Sequence, residues 1–156
     1  MTVDSTAIEG REDGGAWVAS TVGAAGFRAE LAARSHQALS DEPTSFGGTD
    51  AGPTPYEYLL MAISACTSMT VRMYATRKGW PLESAVVSVR QARSHEPDCA
   101  RCETESVGMG NIERKIELSG PLTEEQRARL LDIAERCPIK QTLEKGVHVK
   151  PIAVVA

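Results

Sequence analysis

The run from Thr54 to Trp80 constrains the fold more than any other part of the chain, because its sequence specifies a helix together with both of its ends. Thr54 suits the N-cap, Pro55 the first helical position, where its missing N–H has no partner to lose, and Glu57 the carboxylate place of a capping box. Arg77 and Lys78 complement the negative end of the helix dipole, Gly79 can take the left-handed closing conformation, and Pro81 prevents continuation. The spacing predicts a helix about 36 Å long. From Leu59 to Val71 it is apolar or small nearly all round, the pattern of a helix covered on most sides. Cys66 lies within that part. Few aromatics are available to cover it, so a second copy of the chain is the expected partner, in an obligate homodimer.

On either side of this helix the pattern turns to strands. Phe27, Ala29, Leu31 and Ala33 alternate with Arg28, Glu30 and Ala32, and a second run from His36 to Leu39 predicts a hairpin turning at Arg34-Ser35. Asp41 to Pro53 reads as a turn-rich loop whose glycines match neither a dinucleotide-binding nor a Walker fingerprint. Glu83 to Arg93 and Ile112 to Leu118 form a wide hairpin around a long polar connection. A second helix opens with a capping box at Thr123, and its stripe Leu130, Ile133, Ala134, Cys137 turns Cys137 inward before Pro138 breaks it. A short helical piece, Lys140 to Lys145, ends at Gly146, and Val147 to Val155 is expected as a last strand, at an edge because of Pro151. Residues 1–14 read as a flexible N-terminal tail and 15–156 as a single domain. The class is α+β.

The formal charge of -4 leaves no basic footprint, so nucleic acid is not an expected partner. No apolar run is long enough to span a bilayer and no secretory signal opens the chain, which makes a reducing cytoplasm the expected compartment. There the four cysteines, Cys66, Cys99, Cys102 and Cys137, read as thiol chemistry or metal ligands before structural bridges. Cys66 and Cys137 read either as small core residues or as a redox pair, in which one thiolate attacks a peroxide and the resulting sulfenic acid condenses with the other. Cys99-Ala100-Arg101-Cys102 is half a zinc site, to which His95 adds a third ligand; the same residues also read as a loop dithiol or as exposed thiols without a role.

The stretch Phe46-Gly47-Gly48-Thr49-Asp50-Ala51-Gly52-Pro53-Thr54-Pro55-Tyr56-Glu57-Tyr58-Leu59-Leu60, continuing to Ser64-Ala65-Cys66-Thr67, together with Cys137-Pro138-Ile139 and Leu143, resembles the OsmC/Ohr family of osmotically inducible and organic hydroperoxide resistance proteins. The resemblance implies an OsmC-like intertwined homodimer, with antiparallel sheets packed around two long central helices. It also implies thiol-dependent reduction of organic hydroperoxides in oxidative-stress defence, with Cys66 peroxidatic, Cys137 resolving, an external dithiol as reductant and no required cofactor. Arg34, with Arg28 as the other candidate, stands for the family's catalytic arginine. Peroxidase members carry a glutamate ten positions before the first cysteine; here that residue is Tyr56, and Glu57, nine positions before Cys66, falls about 180° round the helix from it. The alternative reading is a ligand- or metal-binding or redox-sensing protein that uses the dimer cleft or the His95/Cys99/Cys102 loop.

Overall fold

The structure, a computed structural model, describes residues 18–92 and 111–149. His95, Cys99, Cys102 and the metal site expected of them lie outside the described residues. The chain divides within its long helix, between Leu59 and Leu60, into two compact units.

In the first unit, β1 (Val18–Val22), β2 (Ala29–Ala33) and β3 (His36–Ser40) form an antiparallel sheet in that order. Ala33 pairs with His36, so Arg34 and Ser35 make the two-residue turn expected from the sequence. Arg34 takes φ 56, the left-handed conformation such a tight turn demands.

The loop after β3 is gathered by one carboxylate. Asp41, buried, accepts the hydroxyl of Thr49 at 2.6 Å and the backbone N–H groups of Glu42, Thr49 and Ala51 at 2.8, 2.9 and 3.2 Å. The Thr49 hydroxyl first, and then those amides, hold its carboxyl down to about 2 against the opposing effect of burial. Two glycines permit this folding: a Cβ on Gly48 would stand 1.8 Å from the Glu42 carbonyl oxygen, and one on Gly52 would stand 2.5 Å from that of Leu39. They are there for close backbone approach, a stricter requirement than loop punctuation.

The loop ends at α1 (Pro55–Lys78). The reciprocal capping box is formed as read from the sequence, Glu57 N–H to Thr54 Oγ1 at 3.2 Å and Thr54 N–H to Glu57 Oε2 at 2.8 Å.

The second unit holds the rest of α1, the antiparallel hairpin β4 (Ser84–Gln91) and β5 (Ile112–Ser119), and the helices α2 (Glu124–Ala134) and α3 (Pro138–Lys145). Both strands alternate faces, and their register runs from Ser84 opposite Ser119 to Gln91 opposite Ile112. The α2 capping box at Thr123 and Gln126 is formed. Val71 and Ala75 of α1, Leu130 and Ala134 of α2, and Leu82 and Leu122 of the connections make one buried cluster, bordered by Tyr74, Trp80, Ala85, Ile116 and Leu118. Arginines tie the helices to strand ends. Arg72 donates to the carbonyls of Leu82 and Glu83, and Arg127 to those of Leu118 and Gly120.

Together these elements make an α+β fold with antiparallel sheets. One expectation needs correction. Val147 to Val149 form no strand, and residues 150–155 of that expected strand lie outside the described residues. Within this single chain α1 is covered on one side only: Ile63, Thr67, Val71 and Ala75 are buried, whereas Met61, Ala65, Met69 and Met73 are exposed. Among the described residues, no helix is long and apolar enough to cross a membrane.

Candidate active site

Helical geometry places Cys66 on a border. At about 100° per residue, Ile63, Thr67, Val71 and Ala75 define the buried stripe of α1, with Met61, Ala65 and Met69 on the opposite side. Cys66 falls between the two and is half-buried. Thr67, one step further round, faces fully inward. The turns on either side are fixed by hydroxyls. Ser64 Oγ donates to the Val87 carbonyl of β4 at 2.6 Å, and Thr70 Oγ1 donates back to the Cys66 carbonyl at 2.7 Å.

Cys137 is placed by the proline that follows it. A residue before proline is disfavoured in the helical conformation, and Cys137 adopts φ -54, ψ 122. It leaves the end of α2, where its N–H still bonds to the Ala134 carbonyl at 3.2 Å, and becomes the N-cap of α3 with Pro138 in the first helical position. Pro138 therefore starts a helix as well as ending one. The Cys137 side chain is wholly buried. It forms no side-chain capping hydrogen bond, although it stands at the N-terminus of α3, where the first N–H groups have no intrahelical acceptor.

The two thiols, 71 positions apart in sequence, lie close enough in the fold for each to influence the other's ionisation. Their surroundings differ. Burial raises the Cys66 thiol above its ordinary range; the Ile139 N–H and the Thr70 hydroxyl oppose this, and the neighbouring Cys137 adds to it. Burial also works against ionisation of Cys137, but the Thr67 hydroxyl, the Lys140 N–H, Cys66 and the Ile139 N–H outweigh it and bring that thiol below its ordinary range. Of the two sulfurs, the buried one is the one whose anion its surroundings favour.

A residue not anticipated from the sequence joins this site. Arg114, on the inward face of β5 with only 11% of its side chain exposed, donates from Nη1 to Thr67 Oγ1 at 3.0 Å and to the Ala134 carbonyl at 3.1 Å, and from Nη2 to the Glu135 carboxylate. The signal was present in the strand. Ile112, Arg114, Ile116 and Leu118 occupy alternate positions, so a charged residue stands in an apolar slot. Arg34 belongs to the first unit, at the β2–β3 turn. Glu57 is engaged in the helix cap. Among the described residues, no group of three or more His, Cys, Asp or Glu side chains is arranged to hold a metal ion.

Solved structures share this fold. An OsmC-like protein from Mycoplasma pneumoniae is 21% identical, with 81% of this chain and 85% of that one covered at a TM-score of 0.66. An organic hydroperoxide resistance protein from Elizabethkingia anophelis is 17% identical, covering 80% and 84% at 0.59. Another, from Legionella pneumophila, is 14% identical, covering 80% and 85% at 0.55. No curated protein matches the chain. The family model described as OsmC-like protein matches residues 48–151, a span containing both Cys66 and Cys137, and the chain belongs to that family.

Proposed function

We propose that the protein is a thiol-dependent hydroperoxide reductase acting in oxidative-stress defence, with Cys66 peroxidatic and Cys137 resolving. The observation that carries this reading is the meeting of an accessible and a buried thiol, contributed by α1 and by the junction of α2 and α3. Of these two thiols, Cys66 is the one exposed enough to receive a substrate. Its sulfur attacks the terminal oxygen of ROOH, the O–O bond breaks, and the alkoxide leaves with the proton that Cys66 gives up, so that Cys66 becomes a sulfenic acid and ROOH becomes ROH. The Cys137 thiolate then attacks the Cys66 sulfur, an S–S bond forms, and hydroxide departs to be protonated as water. An external dithiol restores the pair by two exchanges, becoming a disulfide itself.

Ala62, Met69 and Met73 lie on the helix face around Cys66, and the two methionines are exposed, which favours an organic substrate with an apolar tail. Two of the structurally similar proteins are named as organic hydroperoxide resistance proteins, in keeping with this reading. The exposed stripe of Met61, Ala65 and Met69 fits a homodimer in which each α1 covers the other.

The test is consumption of an organic hydroperoxide such as tert-butyl hydroperoxide in the presence of a dithiol, comparing the wild-type protein with Cys66→Ser. Turnover is expected in the wild type and only background in the variant, with mass spectrometry after one equivalent of peroxide showing Cys66 joined to Cys137. Equal turnover in both proteins would remove the proposal.

A further inference from the structure

The second unit contains a clasp with one cation at its centre. Arg114 reaches from β5 to three groups on two helices: Thr67, the residue after Cys66 on α1, and the Ala134 carbonyl and Glu135 carboxylate, three and two residues before Cys137 at the end of α2. The same Ala134 carbonyl receives the Cys137 N–H, so the guanidinium and the Cys137 backbone share an acceptor. Thr67 is wholly buried; its hydroxyl accepts an N–H of Arg114 and lies close enough to the Cys137 sulfur to favour that thiol's ionised form. With its lone pair engaged by Arg114, the hydroxyl has its hydrogen free for that sulfur.

We propose that Arg114 is a positioning residue for the thiol pair: its planar fork locks the Cys66 turn of α1 to the Cys137 turn at the end of α2, fixes how closely the two sulfurs approach, and aims the Thr67 hydroxyl at Cys137. The planar guanidinium suits this task because it offers several donors in one fixed geometry, where a lysine has a single mobile ammonium. The consequence for ionisation is consistent, since the Thr67 hydroxyl leads the groups that favour the Cys137 thiolate. The titratable groups on the neighbouring elements are the Cys66 thiol of α1, Glu135, which pairs with Arg114, Arg136, which precedes Cys137, and Lys140 of α3, whose ammonium is taken up by Glu135 and Glu144. Arg114 acts through Thr67 and does not touch the reacting atoms. The proposal deepens the thiol-pair reading and rests on it for any effect on turnover; the clasp itself can be measured without a peroxide.

Two measurements test it, each on folded full-length protein well below its melting temperature. The first is the equilibrium of the Cys66–Cys137 disulfide with reduced and oxidised glutathione, which reads the effective concentration of one thiol at the other. Arg114→Met is expected to lower that concentration tenfold or more, on the order of 1.4 kcal/mol, with partial recovery in Arg114→Lys. The second is the ultraviolet thiolate titration of Cys137 in a background carrying Cys66→Ser, Cys99→Ser and Cys102→Ser. Thr67→Val, which keeps the side-chain shape and removes the hydroxyl, is expected to raise the midpoint by about one unit, and Thr67→Ser to restore it. A role confined to stability would lower the melting temperature and leave both readings unchanged, and that result overturns the proposal. If Arg114→Met does not fold, the Val and Ser variants of Thr67 decide it. Shifted equilibria in a protein that fails to consume hydroperoxide would support the clasp and sink the peroxidase reading; turnover with unshifted equilibria would do the reverse.

Discussion

Leu130→Ala tests whether the α1–α2 core holds the site together. Leu130 is wholly buried among Val71, Ala75, Leu82, Leu122 and Ala134, so alanine deletes three carbons from a closed cluster. At about 0.8 kcal/mol per methylene the lost transfer energy is about 2.4 kcal/mol. The walls have little freedom to collapse. Arg127 ties the middle of α2 to the Leu118 and Gly120 carbonyls at 2.7 and 2.9 Å, and the Thr123 capping box fixes its start. A residual cavity then adds about 1–2 kcal/mol, giving roughly 3–4 kcal/mol in all, within the range of buried Leu→Ala substitutions. For a chain of this size that corresponds to a fall in melting temperature of roughly 6–16 °C.

The assay is urea unfolding followed by circular dichroism, with Leu131→Ala as control. Leu131 is the next residue on the same helix but 44% exposed, and its truncation should cost about 0.5 kcal/mol or less. An unchanged urea slope with a lower midpoint would confirm that stability, and not compactness, had altered. A loss under about 1 kcal/mol for Leu130→Ala, or equal losses for the two variants, would refute the reasoning that α2 is anchored through this side chain.

Acid should find Asp41 in the first unit. Its carboxyl is held at about 2 against an ordinary 3.8, so the stability it contributes is fully present above 3.8 and is lost as pH falls towards 2. Melting temperatures of wild type and Asp41→Asn between pH 2 and pH 5 should therefore converge at the acid end; parallel curves would contradict the assignment. Assembly should depend on the exposed methionine stripe. Met69→Lys places a charge at a residue 64% exposed in the single chain and is expected to shift the protein from dimer to monomer in sedimentation velocity, whereas a wild-type protein that is already monomeric at micromolar concentration would remove the dimer proposal.

Elements whose signals are local were legible in the sequence. Thr54-Pro55-Tyr56-Glu57 and Thr123-Glu124-Glu125-Gln126 each carry a complete helix start within four residues, and both capping boxes are formed. The hairpin turn at Arg34-Ser35 was readable because the alternation breaks there and resumes in phase. The last strand failed at Val147 to Val149, where a run of valines gave β propensity without naming a partner to pair with. Periodicity also turned Cys137 inward correctly, yet read Pro138 only as a stop, although a proline that ends one helix is suited to the first position of the next. Arg114 and Thr67 escaped notice for a different reason. Thr67 looks ordinary in its helix, Arg114 shows only as a charge in an apolar slot of its strand, and their meeting across 47 positions is a property of the tertiary fold.

The inequality of the two thiols bears directly on how a pair of this kind would complete a cycle. Thiol–disulfide exchange proceeds fastest when the attacked sulfur is accessible and the departing sulfur is the more acidic of the two. Cys66 has the exposure and Cys137 the stabilised thiolate, so a reductant reaching the oxidised pair would form its mixed disulfide at Cys66 and expel Cys137. The groups that favour the Cys137 anion in that step, the Thr67 hydroxyl and the first amides of α3, are the same ones that in the proposed cycle would ready it to attack a Cys66 sulfenic acid in the oxidative half. A single arrangement around the buried sulfur would thus serve both halves of the proposed cycle, with the thiolate as nucleophile in one and leaving group in the other. The cost falls on Cys66, whose own ionisation is opposed by burial and by its neighbour's charge. Its first step in the proposed cycle would therefore call for transferring the proton as the peroxide bond breaks, and the placement of Cys137 beside it would then matter before any disulfide exists.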